Sequence, residues 1–289
     1  MTPAAGRFRA RPVVLSPYDP VGRAAKAVIG FHLQTLTREH TLASAGEVEP
    51  IHQMRVATRR LRAALRLFGR LIPAKSAAAA HRDLSWLAQS IGAVRDLDVL
   101  AELMATRARK LPPDLANGLA PIEQAMQDRR LAGQGRLEQI LESARYRRLL
   151  IRLSSISPRG PQSEVALGSV ARDFLRPLVS SVQRTGRKLN ANSPPELLHR
   201  LRVRVKRFRY ALETVRTLGG KSSKKTLARL EELQDLLGQH HDATAAITWL
   251  RQYADTVPAA PATLLAAGAL THAIERRAGK LQRLSLKAW

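Results

Sequence analysis

With 289 residues, 48 Lys+Arg against 23 Asp+Glu and a net charge of +25, the chain is long enough for one large domain or two packed halves. So much like charge repels itself and points to an anionic partner: nucleic acid, a membrane surface or polyphosphate. Its 45% hydrophobic content excludes disorder by composition, and its lack of cysteine excludes disulfides, thiolate chemistry and Cys-based zinc sites.

Residues 1–18 read as a basic arm in which Pro3, Pro12 and Pro17 block a helix; three Arg stand there with no apolar core of a secretory signal. Helical periodicity then predicts helices over 19–42, over 51–71 up to Pro73, over 76–108 with Gly92 as a bend, and over 113–153 after Pro112-Pro113. The Ser/Pro/Gly stretch 154–163 is a linker. Four more helices are predicted at 164–189, 195–218, 222–254 and 260–286, separated by breaks at 190–195, Gly219-Gly220 and 258–261. Neither strand alternation nor a glycine-rich phosphate loop occurs. No stretch approaches the roughly 18 apolar residues of a membrane span. The expectation is an all-α protein without a membrane segment, in a reducing, cytoplasmic compartment.

The two halves resemble each other. Residues 51–62, IHQMRVATRRLR, align with 198–209, LHRLRVRVKRFR. About forty residues after each His, Gly92-Ala93-Val94-Arg95-Asp96 pairs with Gly238-Gln239-His240-His241-Asp242. Two matches in one order at nearly the same separation predict a duplicated four-helix unit, with a first repeat over 19–153 and a second over 164–289.

At about 100° per residue, His52, Arg55, Arg59, Arg62, Arg66 and Arg70 fall within roughly 80° of one helix face. Met54, Leu61, Leu65 and Phe68 occupy another sector, so one face packs and the other is a cationic stripe of about 27 Å. No acidic residue stands between Pro50 and Arg82. His199, Arg202, Lys206 and Arg209 repeat the stripe, cut short by Glu213 at the position of Arg66. Solvated helix faces normally mix signs, because opposite charges four residues apart attract and like charges repel. An unmixed stripe written twice predicts a polyanion site.

His52 and His199 open their helices on that face and are read as phosphate donors, charged when the ligand is bound. Joined with His240, His241 and Asp242 they match no zinc spacing, so neither metal nor cofactor is expected. Asp96 and Asp242 read as structural ion-pair partners that orient a stripe His or Arg, with Arg95 and His241 beside them as supporting groups. Lone carboxylates in separate repeats make poor acid–base machinery, so no enzymatic activity is expected.

These residues resemble the CHAD family, the conserved histidine α-helical domain, at H-x-x-R-V-x-x-[RK]-R-[LF]-R, present twice, and at the paired G-x-x-[RH]-D segments. The resemblance spans residues 19–286. It implies two four-helix bundles related by a pseudo-two-fold, with the basic helices facing a shared cavity or groove. It also implies binding of inorganic polyphosphate and association with polyphosphate granules. Carried over, His52, Arg55, Arg59, Arg60, Arg62, His199, Arg202, Lys206, Arg207 and Arg209 are binding residues, and the stripe adds Arg66. Many relatives carry a triphosphate tunnel domain marked by E-x-E-x-K; Glu47-Val48-Glu49-Pro50 lacks both the spacing and the Lys. Nucleic acid is the alternative ligand, since phosphate neutralisation dominates affinity for any such polymer. Base readout, though, needs edge donors or an aromatic ladder, and neither stripe carries a ladder.

Overall fold

The computed structural model describes residues 13–289. Its elements are α1 (Val21–Ser44), α2 (Val48–Leu67), α3 (Ala74–Ala108), α4 (Pro113–Asn117), α5 (Ala120–Glu142), α6 (Ala144–Ser154), α7 (Leu167–Gly186), α8 (Pro195–Thr214), α9 (Gly220–Thr256) and α10 (Pro261–Ala288). Short 3-10 turns follow α2 and α8 and precede α7. Among the described residues the only β pairing is an isolated bridge of Pro20 with Ala166. The all-α expectation holds. Prolines set several starts: Pro113, Pro195 and Pro261 open α4, α8 and α10, where a missing N–H costs nothing.

Some expected boundaries move. The helix expected over 113–153 is three pieces. At Gly118 an added Cβ would lie 2.7 Å from the Ala262 carbonyl oxygen, so the α4–α5 corner can approach α10 only without a side chain. At Ser143 the backbone turns extended, and its Oγ accepts from the Tyr146 N–H at 3.2 Å, capping α6. At Gly92, where a bend was expected, α3 continues as one unbroken helix. Finally, α2 stops at Leu67 and Arg70 lies in the following 3-10 turn, so the helical stripe ends at Arg66.

The apolar faces assemble into three clusters. The largest gathers Leu36, Ile51, Met54, Leu61, Leu84 and Ile91 from α1, α2 and α3 around Tyr146 of α6. Another joins α7, α8 and α9 through Val182, Leu201, Val205 and Leu233. The remaining one draws on both halves: Leu100 and Met104 of α3, Ile122 of α5, Leu250 of α9 and Leu270 of α10. The long helices α3 and α9, 35 and 37 residues, thus reach beyond their own stripe helix into common ground.

The stretch 154–163 is docked, not free. Ile156 is buried in the main cluster, Ser163 is buried, and the Arg159 N–H donates to Leu71 O at 2.8 Å. Of the N-terminal arm, residues 1–12 lie outside the described residues. The rest is clasped to the start of α7 by Gly168 N–H to Pro17 O and Leu167 N–H to Asp19 O, both 2.9 Å.

Candidate functional site

Each stripe helix leans on the long helix that follows it: α2 on α3, α8 on α9, with α2 and α8 also touching each other. That contact brings the two stripes together. Arg55 and Arg59 act electrostatically on Lys206, Arg59 feels Arg202 and Arg209, and Arg62 and Arg66 feel Arg207. Arg55, Arg59, Arg60, Arg62 and Arg66 of α2 therefore lie against Arg202, Lys206, Arg207 and Arg209 of α8, with His52 and His199 each beside the arginines of its own stripe.

Burial shapes the charges. Desolvation depresses Arg59, Arg62, Arg202 and Lys206 below their ordinary values, and their cationic neighbours push the same way. Lys206 falls furthest, from 10.5 to about 7, with Arg202, Arg59 and Arg55 around it and Asp242 opposing. The Nε atoms of Arg59, Arg62 and Arg202 are buried and make no hydrogen bond. Donors held dry without acceptors are costly, and a polyanion would supply the acceptors.

The G-x-x-[RH]-D segments acquire a structural meaning. Arg55 pairs with Asp96 at 2.9 Å, and its Nη1 lies 3.3 Å from where a Cβ on Gly92 would stand. In the second half Arg202 passes 4.0 Å from the same point on Gly238, with Asp242 as its anionic neighbour. At Gly92 the missing side chain gives Arg55 room along the long helix, while at Gly238 Arg202 lies at ordinary contact distance; in both halves the aspartate one turn on meets the arginine's charge. Asp96 is the ion-pair partner expected of it. The position between is also matched: Arg95 acts on His52, while His241 meets His199 with their Nδ1 atoms 3.2 Å apart.

In the folded chain the histidines are held below their ordinary value. His52 is lowered by desolvation, then Arg95; His199 by desolvation, then Arg202 and Lys206. His241 drops to about 4, first by burial and then by Arg202 and His199. One of the two facing Nδ1 atoms must donate and the other accept, so at least one ring of the pair is neutral.

The charge that the sequence left unopposed in α2 is partly met from elsewhere. Glu213 of α8 reaches Arg60 at 2.9 Å and Arg209 at 3.1 Å, and Glu231 of α9 takes Arg209 at 3.2 Å. Tyr210, buried, lies under three guanidiniums: Arg59 at 5.9 Å, Arg60 at 5.6 Å and Arg209 at 5.1 Å from its ring centre. Arg62, Arg66 and Arg207 have no ion pair with any described residue. The groove is therefore divided by Glu213 into a braced part and a bare one.

Three groups escaped the sequence reading. Tyr210 was visible as an aromatic in the second stripe, but its place under α2 arginines needs the α2–α8 crossing. His81 of α3 feels Arg66, Arg62 and Arg207. His32 of α1, lowered to about 3 by burial and then Arg60, carries no repeat signature at all. A cavity of about 540 Å³ adjoins the Asp96/Asp242 end, lined also by His241, Arg129, Arg136 and Trp249. No group of three or more His, Asp or Glu among the described residues is placed to hold a metal ion. No helix among them is long and apolar enough to cross a membrane.

Comparison with known proteins accords with this arrangement. Two uncharacterized proteins of Mycobacterium tuberculosis, from strains CDC 1551 and H37Rv, are each 27% identical over 246 residues, 82% of this chain and 46% of the relative. The chain thus spans about half the length of the curated relatives it matches. The crystal structure of the CHAD domain from the plant Ricinus communis superposes with TM-score 0.80 at 29% identity, covering 99% of this chain and 98% of that one. PptA from Streptomyces chartreusis shares the fold, with TM-score 0.72 at 23% identity over 94% and 99% of the two chains. The CHAD domain family model matches residues 27–251, a span that holds both stripe helices and both glycine–aspartate segments. This chain belongs to the CHAD domain family.

Proposed function

We propose that the chain binds inorganic polyphosphate in the groove between α2 and α8, without chemistry, and acts at polyphosphate granules in the cytoplasm. The observation that carries this reading is the convergence of two cationic stripes whose members are desolvated and short of acceptors. A single fold spends stability on holding like charges together only where a ligand returns it. A flexible chain of phosphates matches such a groove: it presents an acceptor at every unit, and guanidiniums meet phosphate oxygens in a two-pronged fashion. Membership in the CHAD family supports the same ligand.

The binding residues on this reading are His52, Arg55, Arg59, Arg60, Arg62, Arg66, His199, Arg202, Lys206, Arg207 and Arg209. Arg95, Asp96, His241 and Asp242 position them. The test is direct competition of long-chain polyphosphate with duplex DNA at matched phosphate concentration and physiological salt. Polyphosphate is expected to win, with affinity falling steeply as salt rises. Equal binding of duplex DNA would replace this reading with nucleic-acid binding. Release of phosphate by the pure protein, lost in a single-residue variant, would make it an enzyme.

A further inference from the structure

At the bare end of the groove the chemistry changes. A cavity of about 520 Å³ opens between the end of α2, α7 and α8, within the range of small-molecule sites. Leu67, Phe68, Leu71, Val170, Phe174 and Leu178 give it an apolar wall. Phe68 is fully buried and meets Phe174 edge to face at 6.1 Å, so that wall is fixed. Protein interiors pack with few voids larger than a water molecule, so an apolar space of this size is not a packing defect.

Its rim is cationic. Arg66, Arg70 and Arg207 line it, all exposed, and none has an ion pair or hydrogen bond with a described residue. Asp173 of α7 is the carboxylate on the lining, and it leaves three guanidiniums against one acid. Arg62 of α2 and His81 of α3 stand close behind Arg66 and Arg207. The Arg66 guanidinium is drawn down to about 10, first by desolvation and then by Arg207 and Arg62.

We propose that this cavity binds a single-chain amphiphile with an anionic headgroup, its tail between α2 and α7 and its headgroup on Arg66 and Arg207. Neither half of the site explains itself alone. A phosphate polymer has no use for the apolar wall, and an uncharged tail has none for three unopposed arginines. The site shares Arg66 and Arg207 with the polyphosphate groove but shares none of its other residues.

The experiment is calorimetric titration of the full chain with dodecyl phosphate below its micelle concentration, with dodecyltrimethylammonium and inorganic phosphate as controls. Dodecyl phosphate is expected to bind one site at least about tenfold more tightly than either control. Val170→Trp, which places a large side chain in the cavity, should abolish that binding and leave polyphosphate binding unchanged. Asp173→Asn, at an exposed position, should tighten dodecyl phosphate and serves as the test should the Trp variant fail to fold. Equal affinity for the cationic and anionic amphiphiles overturns the proposal. So does dodecyl phosphate binding that Asp173→Asn leaves unchanged or weaker. Binding to phosphatidylglycerol vesicles without binding to the monomeric probe overturns it as well, in favour of a membrane surface. Loss of polyphosphate binding with dodecyl phosphate retained would strike only the polyphosphate reading.

Discussion

The helices α2 and α8 carry the same pattern in the same register, yet they manage their charge differently. In α8, Arg209 is held by Glu213 and Glu231, and Lys206 faces Asp242. In α2, Arg55 has Asp96 and Arg60 borrows Glu213 from the other helix, while Arg59, Arg62 and Arg66 have no carboxylate partner among the described residues. Glu213 occupies the position that Arg66 holds in α2, so one substitution in the pattern both shortens the α8 stripe and braces the crossing. Two copies of one motif thus become a braced side and a bare side. An anion gains most where no protein carboxylate must first be displaced.

This comparison is most exposed to removal of the bare side. Arg59/Arg62/Arg66→Ala should cost at least about a thousandfold in polyphosphate affinity, since charge-assisted hydrogen bonds contribute about 1.5–3 kcal/mol each. Lys221/Lys224/Lys225→Ala removes the same charge from exposed positions at the start of α9 and should cost far less. Ala suits a helix, and the Arg59 and Arg62 guanidiniums were desolvated, so the first variant should melt no lower than the parent. Equal losses of affinity from both variants would mean that net charge, not the groove, binds.

Glu213→Gln turns the brace off. Arg60 is freed for the ligand while Arg209 keeps Glu231, and affinity should rise by several-fold. The price is stability: Glu213 is only 11% exposed, and breaking a buried ion pair typically destabilises by about 3 kcal/mol. Excess polyphosphate should restore the melting temperature of this variant more than that of the parent, because binding to the native state alone stabilises it. A variant that loses stability without gaining affinity would show that Glu213 braces nothing the ligand uses.

Much of this was legible in the sequence, for identifiable reasons. Helix ends at Pro73, Pro112, Pro195, Gly219 and Pro261 announce themselves because proline and glycine act locally. The break at Ser143 did not, since the helical period continues through it and only a side-chain cap marks the corner. The stripe was legible because three- and four-residue spacing fixes a face. What opposes the stripe was not: Glu213 lies 153 positions from Arg60 along the chain and meets it only because α2 and α8 cross. The neutral state of His241 was hidden likewise, since its partner His199 stands on another helix.

A smaller effect distinguishes the one lysine of the groove from its arginines. Lys206 sits near 7 in the fold against its ordinary 10.5, so its charged form is disfavoured there. In the free protein that penalty is complete below pH 7 and is relieved as pH rises toward 10.5, so stability should climb across this window. Binding runs the other way. A polyanion favours the ammonium and raises its pKa, so affinity should fall several-fold as pH rises above about 7, with proton uptake on binding. Lys206→Arg, charged throughout, should flatten the profile. An unchanged profile would place the titrating group elsewhere.

The smallest effect separates the two aspartates, which look equivalent in sequence. Asp96 is 69% exposed and bound to Arg55, a pair near the surface worth at most about 1 kcal/mol. Asp96→Asn should therefore change stability little and raise affinity a few-fold by releasing Arg55. Asp242 is raised above the ordinary carboxylate value, first by burial, with Arg202 and Lys206 opposing. It is also the carboxylate that helps Lys206 keep its proton. Asp242→Asn should draw the Lys206 pKa down further, so the pH at which polyphosphate affinity begins to fall moves lower. Asp96→Asn should leave that pH where it was. The two variants differ by position alone, since each removes one carboxylate from the same turn of a matching helix. Identical shifts in both profiles would show that the aspartates act on the groove as a pooled charge rather than through the partner each one faces.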